Sequence, residues 1–190
     1  MFYLFEGDDR VQRCAWVNLK NPLYVKYHDE EWGKPVYDDN VLYEFLVLEA
    51  FQAGLSWECI LKKREAFRKA FDDFDYHKIC DYDDRKIESL LQNKEIVRNK
   101  LKIQAAITNA RVFIELQKEY SSFANYLWHF TEGKVIYEVG KTKSELSDEV
   151  SHDLKKRGMK FVGTTIIYSY LQAVGVINSH EEACDLFYKK

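Results

Sequence analysis

The sequence predicts an all-α protein that forms a single domain over residues 1–190. Two observations predict this fold class. Apolar residues recur at helical spacing along most of the chain, and several of these stretches follow a Ser or Asp that can cap a helix N-terminus. The chain contains only eight Gly and two Pro, too few for the many turns of an all-β fold. With 46% hydrophobic residues, 190 residues can build one sizeable core.

Two helices are predicted in the first third of the chain. The first covers residues 40–53, with Asp38 and Asp39 as candidate N-caps, and it stops at Gly54. The second begins directly after Ser56, whose hydroxyl can accept from the first free backbone N–H groups. Only a short loop can therefore separate these two helices.

The rest of the chain is predicted to form further helices joined by turns. Two amphipathic stretches, residues 83–92 and 97–120, are separated by the four residues NKEI, a length that suits only a tight hairpin. Residues 132–143 lack helical periodicity and are the least ordered-looking part of the chain. The other predicted helices cover residues 121–130, residues 147–158 with Ser147 as N-cap and Gly158 as stop, and residues 162–175.

Composition and charge exclude several classes of protein. No stretch approaches the ~20 apolar residues of a membrane span, and the N-terminus turns acidic too early for a signal peptide. We therefore expect a cytoplasmic protein, in which the four Cys stay reduced. The net charge of −3 gives no overall attraction to nucleic acid, so any DNA binding must use a local basic patch.

Four Cys and His side chains near the two ends of the chain suggest a metal site. His180 and Cys184 are four residues apart, so a helical segment would present both on one face. Cys14 and His28 can complete a Cys₂His₂ set, a common composition of tetrahedral structural zinc sites. A closed site of this kind would join the terminal segments 13–36 and 175–184. The alternative is a pair of unrelated buried thiols and surface imidazoles.

Glu49 is the only charged residue in the apolar run FLVLEAFQAGLSW. On a helix it falls in the same stripe as Leu42 and Phe45, so it faces the core side. A buried carboxylate is costly unless it is compensated, and the structural alternative is a partner such as an arginine. The functional alternative is a pocket for a flat cationic ring, with walls from the nearby aromatic residues Trp16, Tyr24, Tyr27, Trp32 and Trp57.

Basic residues form three local clusters, each of which is either a solvated helix face or a phosphate-binding patch. Each of the clusters lies near a predicted turn. They comprise Lys62, Lys63, Arg64, Arg68 and Lys69; Arg98, Lys100 and Lys102; and Lys155, Lys156, Arg157 and Lys160.

Several motifs together resemble those of the bacterial DNA-3-methyladenine glycosylase I family. In chain order they are RCAWV, PLYVKYHDEEWG, LEAFQAGLSW, LKKREAFRKAF, KIQAAITNAR, LKKRGMKFVGTT and INSHEEAC, which together extend over nearly the whole chain. The resemblance implies a helix-hairpin-helix-type DNA glycosylase fold with a structural Zn²⁺. It implies that Cys14, His28, His180 and Cys184 are the zinc ligands.

The resemblance also implies an activity and the residues that carry it. We expect base-excision repair, in which 3-methyladenine is flipped out of alkylated double-stranded DNA and released as the free base. The resemblance assigns catalytic roles to Glu49 and Tyr27, and Trp16, Tyr24, Trp32 and Trp57 would bind the base. We expect Gly54, Leu55 and Ser56 to enter the duplex and Arg98, Lys100 and Lys102 to contact its backbone. No Lys is obviously placed to form a Schiff base, so we expect a monofunctional enzyme, acting as a monomer.

The chain departs from the family pattern at three places. Ala50 and Phe51 replace small or polar residues before the QAGLSW motif, which is expected to reshape the pocket wall. Lys94 and Leu101 stand in the hairpin where glycines would let backbone N–H groups approach phosphate. Residues 1–12 form an N-terminal extension without an assigned role.

Two other functions are compatible with the same residues. One is a glycosylase of the same superfold that uses an Asp to activate water on other lesions, although Asp72 and Asp73 lie in an acidic turn. The other is a zinc-containing DNA- or nucleotide-binding module without catalysis. An excision assay separates both from a 3-methyladenine glycosylase.

Overall fold

The structure, a computed structural model, describes residues 11–187 and is mostly helical. Residues 1–10 of the N-terminal extension lie outside the described residues. The helices are α1 (Pro22–Glu30), α2 (Asp39–Gln52), α3 (Trp57–Ala70), α4 (Tyr76–Ile79), α5 (Asp84–Gln92), α6 (Lys100–Tyr120), α7 (Phe123–His129), α8 (Glu145–Lys156) and α9 (Thr164–Ala173), with a 3₁₀ turn at Asp72–Phe74. Two short strands, β1 (Ile136–Tyr137) and β2 (Ile177–Asn178), pair in parallel.

The predicted starts of α2 and α3 are confirmed, and a side chain caps each of these helices. Asp38 accepts from the N–H groups of Asn40 and Val41 at the start of α2, and Ser56 accepts from Cys59 N–H at the start of α3. These oxygens satisfy backbone donors that have no partner inside the helix.

Other predicted boundaries are wrong. The N-cap of α8 is Ser144, and Ser147 is the third residue of the helix, where it completes a reciprocal capping box with Ser144. The long helix α6 begins at Lys100, after Asn99 as its cap, and not at residue 97. The helix α1, which begins with Pro22, was not predicted.

The prediction of an all-α fold is correct for the bulk of the chain but misses the strand pair. Ile136 pairs with Ile177 and Tyr137 with Asn178. The segment INSHEEAC is consequently not a helix, because it starts as β2 and continues through turns. His180 and Cys184 are brought together by a turn in which Cys184 N–H donates to the carbonyl of Glu181.

Helix α2 lies at the centre of the hydrophobic core. All ten residues from Leu42 to Phe51 are buried, and the helix contacts α3, α6, α7 and α9. A helix that is apolar on all sides is stable only when it is surrounded in this way. Glu44 and Glu49 are the two acidic residues in this buried run.

Glu44 is neutralised by arginines of α3. Arg64 donates to Glu44 at 2.6 Å and to Glu31 at 2.6 Å, and Arg68 donates to Glu44 at 3.0 Å. A buried carboxylate needs such partners to remain charged. The basic cluster on α3 is therefore partly internal, since Arg64 is buried in this network and does not belong to a solvated face.

The terminal segment 13–36 lies against the end of α9 and against the segment 175–184 that follows it. Gly33 N–H donates to Gln172 and Val36 N–H to Val174. Gly175 has φ +71°, and a Cβ at this position would lie 2.1 Å from the carbonyl carbon of Lys34, so only glycine fits here. Within the described part of the chain, no helix is long and apolar enough to cross a membrane.

Candidate active site

Cys14, His28, His180 and Cys184 form one buried cluster that could hold a metal ion. Their ligand atoms all lie within 4.8 Å of one another. Cys14 Sγ and Cys184 Sγ each lie 3.5 Å from His180 Nδ1, and Cys184 Sγ lies 3.6 Å from His28 Nε2. Tetrahedral bonds of about 2.3 Å to sulfur and about 2.0 Å to nitrogen separate those atoms by about 3.5 Å, so the four side chains fit a tetrahedral metal.

The neighbours of the cluster orient both imidazoles for metal binding. His28 Nδ1 lies 2.8 Å from Asp29 Oδ1, and His180 Nε2 lies 3.3 Å from the carbonyl oxygen of Trp32. An N–H directed at each of these oxygens leaves the other ring nitrogen free to coordinate. Asp29 is itself held by the guanidinium of Arg13 at 2.7 to 2.9 Å.

The protonation of the cluster also suits a cation. Burial lowers the pKa of His180 to about 4 and lowers the pKa of His28, so both rings are neutral at pH 7. Burial raises the pKa of Cys14 to about 12, so a thiolate at this position requires a nearby cation. Backbone N–H groups of Glu181 and Leu186 lie 3.4 Å from the sulfurs of Cys14 and Cys184.

A cavity of about 350 Å³ lies beside the cluster of Cys and His side chains, and the residues predicted to bind the base line it. All six residues predicted to hold the base line it, which are Trp16, Tyr24, Tyr27, Trp32, Glu49 and Trp57. They are brought together from α1, α2, the start of α3 and the segments flanking α1.

Glu49 has no hydrogen bond or ion pair within residues 11–187, although it is only 4% exposed. Glu44, five residues earlier on α2, binds the arginines, so Glu49 is not the arginine-bound carboxylate of the structural alternative. Burial is the cause that raises the pKa of Glu49 to about 8. A ligand that brings positive charge or an N–H donor to this buried, unpaired carboxyl group stabilises its ionised form.

The aromatic side chains of the cavity wall contact one another at tilted or edge-on angles. Tyr27 and Trp57 have ring centroids 5.3 Å apart, and Trp16 lies 5.5 Å from Tyr24 and 4.8 Å from Trp32. The indole N–H of Trp57 is buried and finds no acceptor in the described part of the chain. The pocket therefore combines aromatic surfaces with a buried donor that has no acceptor and an unpaired acid.

Eight further residues of the cavity wall were not predicted. They are Gln52, Val139, Gly140, Lys141, Ser169, Gln172, Ser179 and Glu181. Ser169 and Gln172 carry a sequence signal, because they lie three residues apart on one face of the otherwise apolar helix α9. The other wall residues give no such signal, since strand pairing and the turn after β2 bring most of them to the cavity.

The predicted DNA-contacting residues lie in two groups. The first group is the exposed loop of Gly54, Leu55 and Ser56, which connects α2 to α3. Glu49 lies on α2, and Trp57 is the first residue of α3. Arg98 and Lys100 are exposed at the hairpin before α6. Both groups are accessible to a large partner.

Two of the predicted roles need correction. Lys102 is buried, and its ammonium donates to the carbonyls of Phe51 and Ala53, which makes it unavailable to phosphate. Phe51 does not form the pocket wall, because it packs against Phe67 in the core with ring centroids 4.8 Å apart. Ala50 is buried and likewise lies outside the cavity lining.

Comparisons with known proteins agree over most of the chain. Residues 16–188 match the family model described as Methyladenine glycosylase. DNA-3-methyladenine glycosylase 1 of Escherichia coli (strain K12) is 42% identical over 181 residues, which cover 92% of this chain and 96% of that protein. DNA-3-methyladenine glycosylase of Haemophilus influenzae is 38% identical over 178 residues, covering 90% and 96%.

A solved structure of a 3-methyladenine DNA glycosylase I is also similar. It superposes with a TM-score of 0.88 at 44% identity and covers 92% of this chain and 99% of its own. The sequence motifs, the matched residues and the shared fold agree. The chain therefore belongs to the methyladenine glycosylase family, which confirms the family and the enzyme class predicted from the sequence.

Proposed function

We propose that this protein hydrolyses the N-glycosidic bond of 3-methyladenine in alkylated double-stranded DNA and so begins base-excision repair. The observation that carries the proposal is the unpaired, buried carboxylate of Glu49 in an aromatic pocket. A similar protein, a variant of 3-methyladenine DNA glycosylase I, has been solved in complex with 3-methyladenine, at 34% identity and a TM-score of 0.85.

The chemistry of the lesion explains why such a pocket selects it. Methylation at N3 makes the adenine cationic while it is attached to deoxyribose, so a carboxylate attracts it more strongly than a neutral purine. Glu49 accepts a hydrogen bond from the exocyclic amine, and Tyr27 and Trp57 contact the ring. Trp16, Tyr24 and Trp32 complete the aromatic lining, through stacking and cation–π attraction.

The reaction needs little proton transfer to the base. Cleavage of the bond between C1′ and the ring nitrogen releases a neutral base, because the departing electron pair cancels the positive charge of the ring. A water molecule forms the new bond to C1′ and loses a proton to solvent. The protein contributes by holding the base out of the stack and by placing the negative charge of Glu49 near the electron-poor ring.

The base reaches the pocket by flipping out of the duplex. The loop of Gly54, Leu55 and Ser56 fills the vacated space, and Leu55, 37% exposed, is its apolar tip. We assign α5, the following turn and α6 as the helix-hairpin-helix element. Arg98 and Lys100 contact the phosphates beside it. Lys94 and Leu101 replace the glycines of such a hairpin, so side chains provide more of the contact here than backbone N–H groups.

We expect hydrolysis without strand cleavage. Lys141 is the lysine in the cavity wall, and its ammonium is paired with the carboxylate of Glu138. An amine held in an ion pair is protonated and is a poor nucleophile for C1′. The protein is therefore proposed to be a monofunctional glycosylase that acts as a monomer.

The metal of the Cys₂His₂ cluster is proposed to be a structural Zn²⁺. Four protein ligands of this composition complete a tetrahedral site and leave no position for a water nucleophile. The ion would join the segments that carry Cys14 and His28 to the segment that carries His180 and Cys184. It would supply a fixed link between these terminal segments and would take no part in hydrolysis.

One experiment tests this function. Purified protein is incubated with methylated duplex DNA and, in parallel, with duplexes that carry mismatched or oxidised bases. The released bases are separated by liquid chromatography, and the metal content of the same protein sample is measured. We expect free 3-methyladenine, intact strands and one zinc per chain. Release of mismatched or oxidised bases in place of 3-methyladenine would indicate the Asp-dependent class of glycosylase. Binding without any release would indicate a non-catalytic module.

A further inference from the structure

Lys102 is a buried lysine, which is rare in folded proteins. It is 6% exposed, and its ammonium lies 2.8 Å from the carbonyl oxygen of Phe51 and 2.7 Å from that of Ala53. Burial lowers the pKa of Lys102. In the described residues no carboxylate is paired with it, so the backbone carbonyls are its principal partners.

The two carbonyls mark the end of α2. The last carbonyls of a helix have no partner within it and carry partial negative charge, so a cation is favourable there. Phe51 lies in the last turn of α2, and Ala53 begins the loop that leads to Ser56. Lys102 therefore holds this loop from the first turn of α6, about 50 residues later in the chain.

The loop has little else to fix it on this side. The side-chain amide of Gln52 donates to the carbonyl of Leu55 at 2.8 Å, and Leu55 N–H donates to the carbonyl of Gln52 at 2.7 Å, so both bonds join the loop only to the last residue of α2. Gly54 has φ +82° and no atom within 4 Å of a Cβ built on it, so the tip projects into open space. The contact from α6 joins the loop to another helix.

We propose that Lys102 is a positioning residue that fixes the loop of residues 53–56 in the shape that enters the duplex. This inference rests on the proposed function, in which that loop fills the space left by the flipped base. Lys102 also links the loop to the hairpin that precedes α6, so both DNA-facing elements move as one unit. It acts through the loop and touches neither the base nor a phosphate.

This role separates Lys102 from its neighbour Lys100. An exposed lysine that contacts phosphate contributes to the salt dependence of DNA binding, and its removal lowers the slope of log K against log salt by about one. Removal of Lys102 should leave that slope unchanged, because its ammonium is already bound inside the protein. It should instead slow the steps that need an ordered loop.

The test compares Lys102→Met with Lys100→Met and with Lys118→Met, a matched control in which an exposed lysine of the same helix is lost. Three quantities are measured for each variant: the single-turnover rate of 3-methyladenine release from duplex DNA, the salt dependence of duplex binding and the affinity for free 3-methyladenine. Wild-type protein is measured first, because absence of release there contradicts the proposed function and not the role of Lys102.

We expect Lys102→Met to slow release from duplex roughly 10- to 100-fold, the usual effect of a misplaced element away from the chemistry. Its salt slope and its affinity for free 3-methyladenine should match wild type, and Lys118→Met should change nothing. The inference would be overturned if Lys102→Met released the base at the wild-type rate or showed a reduced salt slope. It would also be overturned if the affinity of Lys102→Met for free 3-methyladenine fell in parallel with its release rate.

Ala53→Gly provides a second variant should Lys102→Met not be recovered folded. It keeps the lysine and both carbonyls but loosens the same loop, since glycine has more backbone freedom. We expect slower release from duplex with unchanged free-base affinity. A full release rate in Ala53→Gly would show that the order of this loop does not limit the reaction, which also overturns the inference.

Discussion

The indole of Trp32 packs edge-to-face on the imidazole of His180, with ring centroids 4.7 Å apart. Trp32 lines the cavity beside Glu49, and His180 belongs to the Cys and His cluster. Trp16 makes a similar contact with His28, at 5.3 Å. The Cys and His cluster and the cavity thus share a wall, and the imidazoles on one side support the indoles on the other.

Metal removal should therefore impair base binding before the helices unfold. A chelator, or Cys184→Ser, should weaken the affinity for free 3-methyladenine by about tenfold or more, because Trp16 and Trp32 lose their support. Near-ultraviolet circular dichroism should change while the far-ultraviolet helical signal largely remains. Cys59→Ser is the control, since Cys59 lies outside the cluster. Unchanged base affinity in metal-free, folded protein would show that the two sites are independent.

Glu49 should make the stability of the protein fall as pH rises. Its pKa of about 8 in the folded protein lies above the ordinary 4.5, so between these values the folded state holds a proton that the unfolded chain has released. The free energy of unfolding then decreases through this window. Glu49→Gln lacks the effect and should be more stable than wild type by on the order of 3 to 5 kcal/mol above pH 8. Denaturant titrations at pH 5 and pH 9 measure the free energy of unfolding of both proteins. The same difference between Glu49→Gln and wild type at both pH values would contradict the prediction.

The same protonation should appear in the rate of base release. The positive charge of the lesion comes from the methyl group and not from a bound proton, so it persists as pH falls, and Glu49 must be ionised to attract it. We expect kcat/KM on methylated duplex to fall as pH drops below the pKa of about 8 in the free protein. Glu49→Gln should show no such fall. A flat wild-type profile between pH 6 and pH 9 would indicate that the charge of Glu49 is not required.

Leu55 should matter for duplex DNA and not for the free base. Its side chain is exposed at the tip of the loop, and an apolar side chain inserted between base pairs stabilises the flipped state. Leu55→Ala should lower single-turnover release from duplex by about tenfold and leave the affinity for free 3-methyladenine unchanged. Leu19→Ala, which removes another exposed leucine, is the control. Equal rates for both variants would remove Leu55 from the mechanism.

The parts of the fold that were predicted correctly are those with local signals. Asp38 and Ser56 stand directly before α2 and α3, so the caps and the apolar runs define both helices from neighbouring residues alone. Ser147 was predicted as the N-cap of α8, but Ser144 holds that position, because either serine can cap a helix and the backbone groups left free in the fold decide between them. Helix α1 was missed although Asn21 and Pro22 are a local start signal, because its nine residues lie in an aromatic-rich stretch without a clear helical repeat of apolar residues.

The parts that were missed depend on contacts between distant residues. Strand β1 exists only because Ile136 meets Ile177, and this pairing brings Gly140 and Lys141 to the cavity. The role of Lys102 depends on carbonyls about 50 residues away, so its basic neighbours suggested a surface patch. By contrast, the sequence pointed to the four residues of the Cys and His cluster and the six residues around the cavity, because their chemistry is unusual for their surroundings. The family resemblance supplied their roles, which stay predictions.

The most direct measurement is single-turnover release of 3-methyladenine from alkylated duplex DNA by Glu49→Gln beside wild type. Glutamine keeps nearly the same shape and removes the charge. We predict a folded variant with a release rate about 10²-fold lower, the size expected when one electrostatic contact to the transition state is lost. A Glu49→Gln variant that releases the base at the wild-type rate would contradict the central claim that an unpaired carboxylate selects the cationic lesion.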